Sequence, residues 1–214
     1  IGPEIQVPIG DFQSAIAGSY LENHEIFVHM ATGGQVAKIL TGSQQDRLTS
    51  TGLEKWQVRP SARESELIMC KTHLPAGRLL TSLARILKQL GNSDSWSAID
   101  EMAATASNLS FQLDEARPDL FELKALPTAE LNVEEIFSSI VAGIRDAYAS
   151  VVRELSPSPN PDLVFSGGTL TKLPQMMHQL CQDLGANASR AVVDDDSSLR
   201  GLAHLLELGE HPQK

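Results

Sequence analysis

The chain has 214 residues, with 17 Lys and Arg against 27 Asp and Glu, a formal charge of −10 and a sequence pI near 5.0. This acidic balance speaks against a nucleic-acid backbone or an anionic membrane as partner, because both attract Lys/Arg-rich surfaces. Hydrophobic residues make up 42% and charged residues 21%, so the chain can bury a core, and no apolar run approaches the ~20 residues of a membrane helix.

The opening IGPEIQVPIG has neither a basic n-region nor an apolar h-region, so it does not read as a signal peptide. It also lacks an initiator Met, which reads as a piece of a longer chain. Cys70 and Cys181 each lie in an apolar segment, with no disulfide framework and no zinc spacing. Both read as reduced core residues of a cytoplasmic protein.

In chain order, Ile5–Ile9 is a short strand-like run interrupted by Pro8. Asp11 then opens a helix as its N-cap, with Ala15, Ile16 and Leu21 as inner positions. Glu25–Ala31 and Gln35–Leu40 flank the turn Thr32-Gly33-Gly34 and predict a β-hairpin. Trp56–Pro60 and Glu66–His73 are further candidate strands beyond a polar loop. Gly77–Leu90 carries Leu79, Leu80, Leu83, Ile86, Leu87 and Leu90 at helical spacing, with Gly91 as a stop. A helix over Asp94–Ala106 and an irregular stretch with short strands over Leu109–Leu126 follow.

Asn132–Leu155 carries the longest apolar stripe, including Ile136, Ile140, Ile144 and Tyr148. Asn132 and Glu135 have capping-box spacing, and SPSPNP ends the helix. The chain closes with strand Asp162–Ser166, turn Gly167-Gly168, helix Leu170–Leu184, strand Arg190–Val193 and a last helix. Asp194–Asp196 open that helix, and Leu199, Leu202, Leu205 and Leu206 are its inner positions. Counting the hairpin, a third antiparallel strand and two later strands gives one α/β domain, a mixed five-stranded sheet with helices on its faces.

The candidate chemistry lies in the turns. Glycines in Thr32-Gly33-Gly34 let backbone N–H groups approach an anion, with the Thr hydroxyl as a further donor; a plain hairpin turn is the alternative. Ser166-Gly167-Gly168 joins a buried strand to a helix, where ligands bind outside the strand's carboxyl end. It is neither a dinucleotide fingerprint nor a Walker A loop. Asp11 is a candidate general base toward a hydroxyl, or an ordinary cap. The six histidines show no metal-ligand spacing, and His29 reads as a surface or satisfied core residue. Neither a G-x-S-x-G elbow nor a Cys with a nearby base is present, which weakens nucleophilic hydrolysis.

Six stretches, PIGDFQSAIAG, VHMATGGQVAKIL, THLPAGRLLTSLARIL, LNVEEIFSSIVAGIRDAY, LVFSGGTLTKLPQMMHQL and DDDSSLRGLAHLL, together resemble the C-terminal domain of the FGGY carbohydrate kinases, nearest the sedoheptulokinase branch. The resemblance implies the actin/Hsp70/hexokinase-type, ribonuclease H-like fold. It implies that residues 1–214 are the C-terminal nucleotide-binding domain of a two-domain kinase whose N-terminal domain is not in this sequence. The implied activity is ATP-dependent phosphorylation of a sugar or polyol, such as the ketoses sedoheptulose, xylulose or ribulose, with the isolated domain inactive.

By position, the resemblance makes Asp11 the base and lets Gln13 touch the sugar. Thr32 and Gly33 would bind ATP phosphates, with Gly77 and Thr81 beside them. Gly167 and Gly168 would approach the adenosine, with Lys172 one turn on. No metal ligand is implied here; the carboxylate associated with Mg²⁺ belongs to the N-terminal domain. Phe12 and Ala142-Gly143 depart from what many members carry, Gln after the Asp and Glu-Gly in the long helix. The implied partners are the sugar or polyol and the protein's own N-terminal domain, with a homodimer left open. Within the same fold, the alternatives are a non-catalytic actin-like or chaperone-like nucleotide switch and a degenerate interaction domain.

Overall fold

The computed structural model describes residues 10–42, 55–63, 66–105, 110–113, 121–124, 132–156, 158–192 and 197–210. The expected strand Ile5–Ile9 and the aspartates Asp194–Asp196 lie outside them. Helix α1 (Asp11–Gly18) precedes strands β1 (Glu25–Met30), β2 (Gly34–Leu40), β3 (Gln57–Pro60) and β4 (Leu67–Leu74). Helices α2 (Gly77–Gln89) and α3 (Ser95–Ala103), a ribbon of β5 (Ser110–Leu113) and β6 (Phe121–Lys124), and the long α4 (Val133–Leu155) follow. Strand β7 (Asp162–Ser166), α5 (Pro174–Leu184), β8 (Ala188–Val192) and α6 (Ser197–Glu210) complete the chain.

The main sheet has six strands in the order β3-β4-β2-β1-β7-β8. Strands β3, β4, β2 and β1 pair antiparallel; β1–β7 and β7–β8 pair parallel. The sixth strand, beyond the five expected, is β3, because Trp56–Pro60 and Glu66–His73 both contribute to the sheet. Strand β3 is a short edge strand, largely solvent-facing and ending on Pro60, so it carries little of the apolar alternation that marks an inner strand.

Strand alternation divides the core between the two faces of this sheet. Ile26, Val28, Met30, Val36, Leu163 and Phe165 face one side, under α2, α3, α4 and α5. Phe27, Ala37, Ile39, Ile68, Cys70 and Val164 face the other, under α1. Ile140 and Ile144 of α4 are buried, as their spacing predicts, and Ile136 is partly so. Lys38 is also buried on the α4 face, where its Nζ donates to Leu155 O (2.8 Å) at the end of α4. Ammonium there meets the negative end of the helix dipole, although burial pushes its pKa down.

Caps set the helix limits. Asn132 Oδ1 accepts from Glu135 N (2.8 Å) and Glu135 Oε2 from Asn132 N (3.4 Å), so the expected capping box starts α4. Asp11 is not the cap of α1: Gly10 is, and Gln13 Oε1 reaches back to accept Gly10 N–H (3.2 Å). The expected helix Leu170–Leu184 is split into a 3-10 turn, Leu170–Lys172, and α5, because Pro174 cannot continue a helix but suits its first position. Asp100 of α3 caps α5 from outside, accepting Gln175 N (2.9 Å) and Met176 N (3.1 Å).

Several expected inner leucines face outward. Leu199 and Leu202 are 62% and 40% exposed, because α6 lays Gly201 against α1 so closely that an added Cβ would overlap Ser14 O. Ile86 and Leu90 of the α2 segment are likewise exposed; Leu80, Leu83, Ala84 and Leu87 form the inner face. At the far edge, Arg190 of β8 donates to both Glu25 carboxylate oxygens (2.8 and 2.7 Å) and to Ser19 O (2.8 Å), which ties β8 to the end of α1.

Candidate functional site

Strands β1 and β7 run parallel, so their carboxyl ends share one edge of the sheet, and the hairpin turn 31–33 leaves from that edge. Three segments distant in sequence are joined there by hydrogen bonds. Gly77 N–H, at the start of α2, donates to Ala31 O (2.9 Å), and Arg78 N–H to Thr32 O (3.2 Å). Thr169 N–H donates to Met30 O (3.1 Å) and its Oγ1 to Ala31 O (3.0 Å). The hairpin turn, the helix start and the turn after β7 therefore form one assembly.

Glycine is what lets them meet. A Cβ on Gly77 would overlap Ala31 O and lie 2.7 Å from Thr169 Oγ1. Gly167 has φ +104°, and a Cβ there would overlap Met30 O. These two glycines thus have a packing role whatever the site binds. Gly33 differs: nothing lies within 4 Å of its Cβ position, and Gly33 and Thr32 are both exposed. The tip of the hairpin is open, with an exposed threonine and a glycine whose backbone is unobstructed, which suits a phosphate group.

The other expected site residues divide. Gly168 is half-buried in the turn, its carbonyl accepting Thr171 Oγ1 (2.8 Å). Thr81 is exposed one turn into α2. Lys172 lies with Nζ 4.7 Å above the Trp96 ring, a cation–π contact that ties the turn to α3. Gln13 is occupied twice, by Gly10 N and by Pro60 O, to which its Nε2 donates (3.2 Å). Asp11 is exposed at the first residue of α1; its Oδ1 accepts Phe12 N–H (2.7 Å). With the cap supplied by Gly10 and Gln13, the Asp11 carboxylate is not committed to capping.

One residue was missed. His29 is neither a surface nor a satisfied core histidine: its Nδ1 is buried and makes no hydrogen bond among the described residues. The ring stacks on Phe27 (5.8 Å, 13°) and takes the edge of Phe12 (6.1 Å, 62°). Burial pushes its pKa down, while the negative charge of Asp11 pulls it up. The alternation Phe27-Val28-His29 places it on the α1 face, and that was the signal available in the sequence.

Among the described residues no three of His, Cys, Asp and Glu gather as a metal ion requires. No helix among them is long and apolar enough to cross a membrane.

No protein-family model and no curated protein sequence matches the chain. Solved structures do. A xyloylose kinase from Brucella ovis superposes with a TM-score of 0.71 at 13% identity, over 96% of this chain and 43% of its own. The xylulose kinase of Rhodospirillum rubrum gives 0.68 at 14%, over 92% and 41%. The glycerol kinase of Plasmodium falciparum, solved with ADP, gives 0.62 at 15%, over 96% and 43%. The chain thus spans about two-fifths of the length of the carbohydrate kinases it matches, and it has the actin/hexokinase-type α/β fold that they contain.

Proposed function

We propose that this chain is the C-terminal, nucleotide-binding half of an ATP-dependent sugar or polyol kinase of the FGGY type. The observation that carries the reading is the joining of the Thr32-Gly33 hairpin, the Gly77 helix start and the Gly167–Thr169 turn at one end of the sheet. An open hairpin tip, a helix N-terminus and a glycine turn together suit a polyphosphate and the nucleoside attached to it. The resemblance in sequence and the shared fold of the kinases point the same way.

ATP, when bound, supplies the phosphoryl group. Thr32 and Gly33 would hold its phosphates, with Gly77 and Thr81 flanking them and Gly167 and Gly168 along the adenosine. Asp11 would accept the proton of the attacking hydroxyl as that oxygen bonds to phosphorus and the bond to the leaving ADP oxygen breaks. Mg²⁺ fits poorly on this chain alone, since no acidic cluster faces the turns among the described residues; its carboxylate would come from the other half of the protein. Positioning and charge stabilisation dominate phosphoryl transfer, so the half-site alone should be nearly inert. A ketose is the substrate class that the sedoheptulokinase-like residues favour.

Asp11→Asn in the full protein tests this reading. Loss of a general base costs about 10²–10⁴-fold in turnover, with nucleotide Kd nearly unchanged, as when only a transition-state interaction is lost. Unchanged turnover would remove Asp11 from the chemistry.

A further inference from the structure

The α1 face of the sheet changes character at its last layer. Below it, Phe27, Ala37 and Val164 are apolar neighbours on β1, β2 and β7. One step nearer the turns, the pairing places Gln35 beside His29 on one side and Ser166 on the other. This polar row lies directly beneath the hairpin and the Gly167 turn. His29 Nδ1 and Gln35 Oε1 are both buried and make no hydrogen bond among the described residues.

The two nitrogens of His29 are not equivalent. Nδ1 is enclosed, whereas Nε2 is not among the buried atoms that lack a partner, and no hydrogen bond through it is made among the described residues. An orphaned buried N–H is rarer than an under-satisfied acceptor, so Nδ1 is the bare nitrogen and Nε2 carries the proton. The ring lies between Phe12 and Phe27, surroundings that disfavour a second proton. Among the described residues, the charged group acting on it is Asp11 of α1; β2 and β7 present the neutral Gln35 and Ser166. With Nδ1 bare, His29 would offer Nε2–H as a neutral donor, and its ring lies 6.1 Å from that of Phe12, the residue after Asp11.

We propose that His29 is a positioning residue for Asp11, donating from Nε2 to the carboxylate oxygen that Phe12 N–H leaves free, and so aiming it at the acceptor hydroxyl. The proposal rests on the reading of Asp11 as the base. The pair is not hydrogen-bonded in the free chain, which is common for catalytic contacts that tighten when substrate binds. The Phe12 amide would fix Oδ1 and the imidazole Oδ2, leaving the second lone pair of each for the incoming proton.

The test uses His29→Phe and His29→Gln in the full protein. Gln can present an amide N–H near the position of Nε2; Phe cannot. Expected are a fall of about 10–10²-fold in kcat for the Phe variant, in line with the cost of small misplacements, unchanged nucleotide Kd, and recovery to within about threefold of wild type for Gln. Equal loss in both variants, or no loss in Phe, overturns the proposal. Ring titration of His29 by NMR gives a readout independent of turnover, and of whether the Phe variant folds. Asp11→Asn should lower the His29 pKa measurably; an unchanged value also overturns the pairing. The two readings fail differently. Full turnover in Asp11→Asn defeats the base, whereas a dead Asp11→Asn beside a fully active His29→Phe defeats the positioning role alone.

Discussion

On the α4 face, apolar side chains run to the very end of β1: Ile26, Val28 and Met30 are all buried. On the α1 face Phe27 is followed by His29, and the row it shares with Gln35 and Ser166 is polar. A buried charge of the α4 face, Lys38, is hydrogen-bonded to the end of a helix, whereas His29 Nδ1 and Gln35 Oε1 have no partner among the described residues. A buried polar group without a partner is unfavourable for folding. His29 and Gln35 are cross-strand neighbours in one layer under the turns, which makes that layer a candidate place where stability yields to chemistry. The α4 face supplies the rigid support.

The largest stability effect is therefore expected on the support. Ile144→Ala removes a fully buried side chain at the centre of α4, and should cost about 2–5 kcal/mol in denaturant unfolding. The folded fraction should keep its nucleotide affinity. A loss under about 1 kcal/mol would mean that the α4 core repacks freely and is no rigid support.

Next come the glycines between the two regions. Gly167→Ala places a Cβ against Met30 O at φ +104°, and should cost about 1–3 kcal/mol together with nucleotide affinity, since Thr169 would leave Met30 and Ala31. Gly33→Ala meets nothing within 4 Å, so its effect should fall on ligand binding and leave the melting temperature almost unmoved. Melting curves and nucleotide titrations of both variants separate a glycine required by packing from one required by a ligand. Equal stability losses would erase that distinction.

A smaller effect holds the outer edge of the α1 face. Burial works to raise the Glu25 carboxyl, but the Arg190 hydrogen bonds, the Glu22 amide and the charges of Arg190 and His24 outweigh it and hold the pKa below its ordinary value. A carboxyl depressed on folding contributes stability above its unfolded pKa and loses it as pH falls through the folded one. Stability should thus drop on acidification below about pH 4.5, and Glu25→Gln should flatten that part of the curve. With Arg190 42% exposed, solvent screening limits the contribution to about 1 kcal/mol. An unaltered acid limb in Glu25→Gln would show that the clamp does not act electrostatically.

Periodicity made most of this architecture legible. The stripe of α4 and the hairpin about Thr32–Gly34 both appear where spacing puts them. Misses came where tertiary contact overrides local pattern. Leu199 and Leu202 have core spacing, yet the close approach of Gly201 to α1 turns them outward. Asp11 looks like a cap, but the capping contact comes from Gln13, two residues on. In the site, the turns were visible as glycine-containing segments. That the hairpin, the Gly77 helix start and the Gly167 turn come together was expected only from the resemblance; the bonds that join them through Met30, Ala31 and Thr32 were not legible, because most link carbonyls and amides that carry no side-chain signature. His29 escaped because a lone histidine in a strand gains meaning only from its cross-strand neighbours.

The smallest effect tests the comparison most sharply. The α4 face has an orphan of its own: Tyr148 is fully buried, and its hydroxyl, packed against Gly34 of the hairpin, makes no hydrogen bond among the described residues. Burial in apolar surroundings also pushes its phenol pKa up, so the group stays neutral. If the α4 face is support alone, this oxygen does nothing, and Tyr148→Phe deletes an unsatisfied donor while keeping the ring. Removing such a group without leaving a partner stranded is close to neutral or mildly stabilising, within about 1 kcal/mol, and turnover of the full protein should not change. His29→Phe deletes a buried polar group of the α1 face in the same way, yet is expected to reduce turnover. The pair of variants thus asks one chemical question of both faces. A marked loss of turnover in Tyr148→Phe would show that its hydroxyl finds a partner in the hairpin during the reaction, and the division between supporting and reacting faces would fail at Gly34.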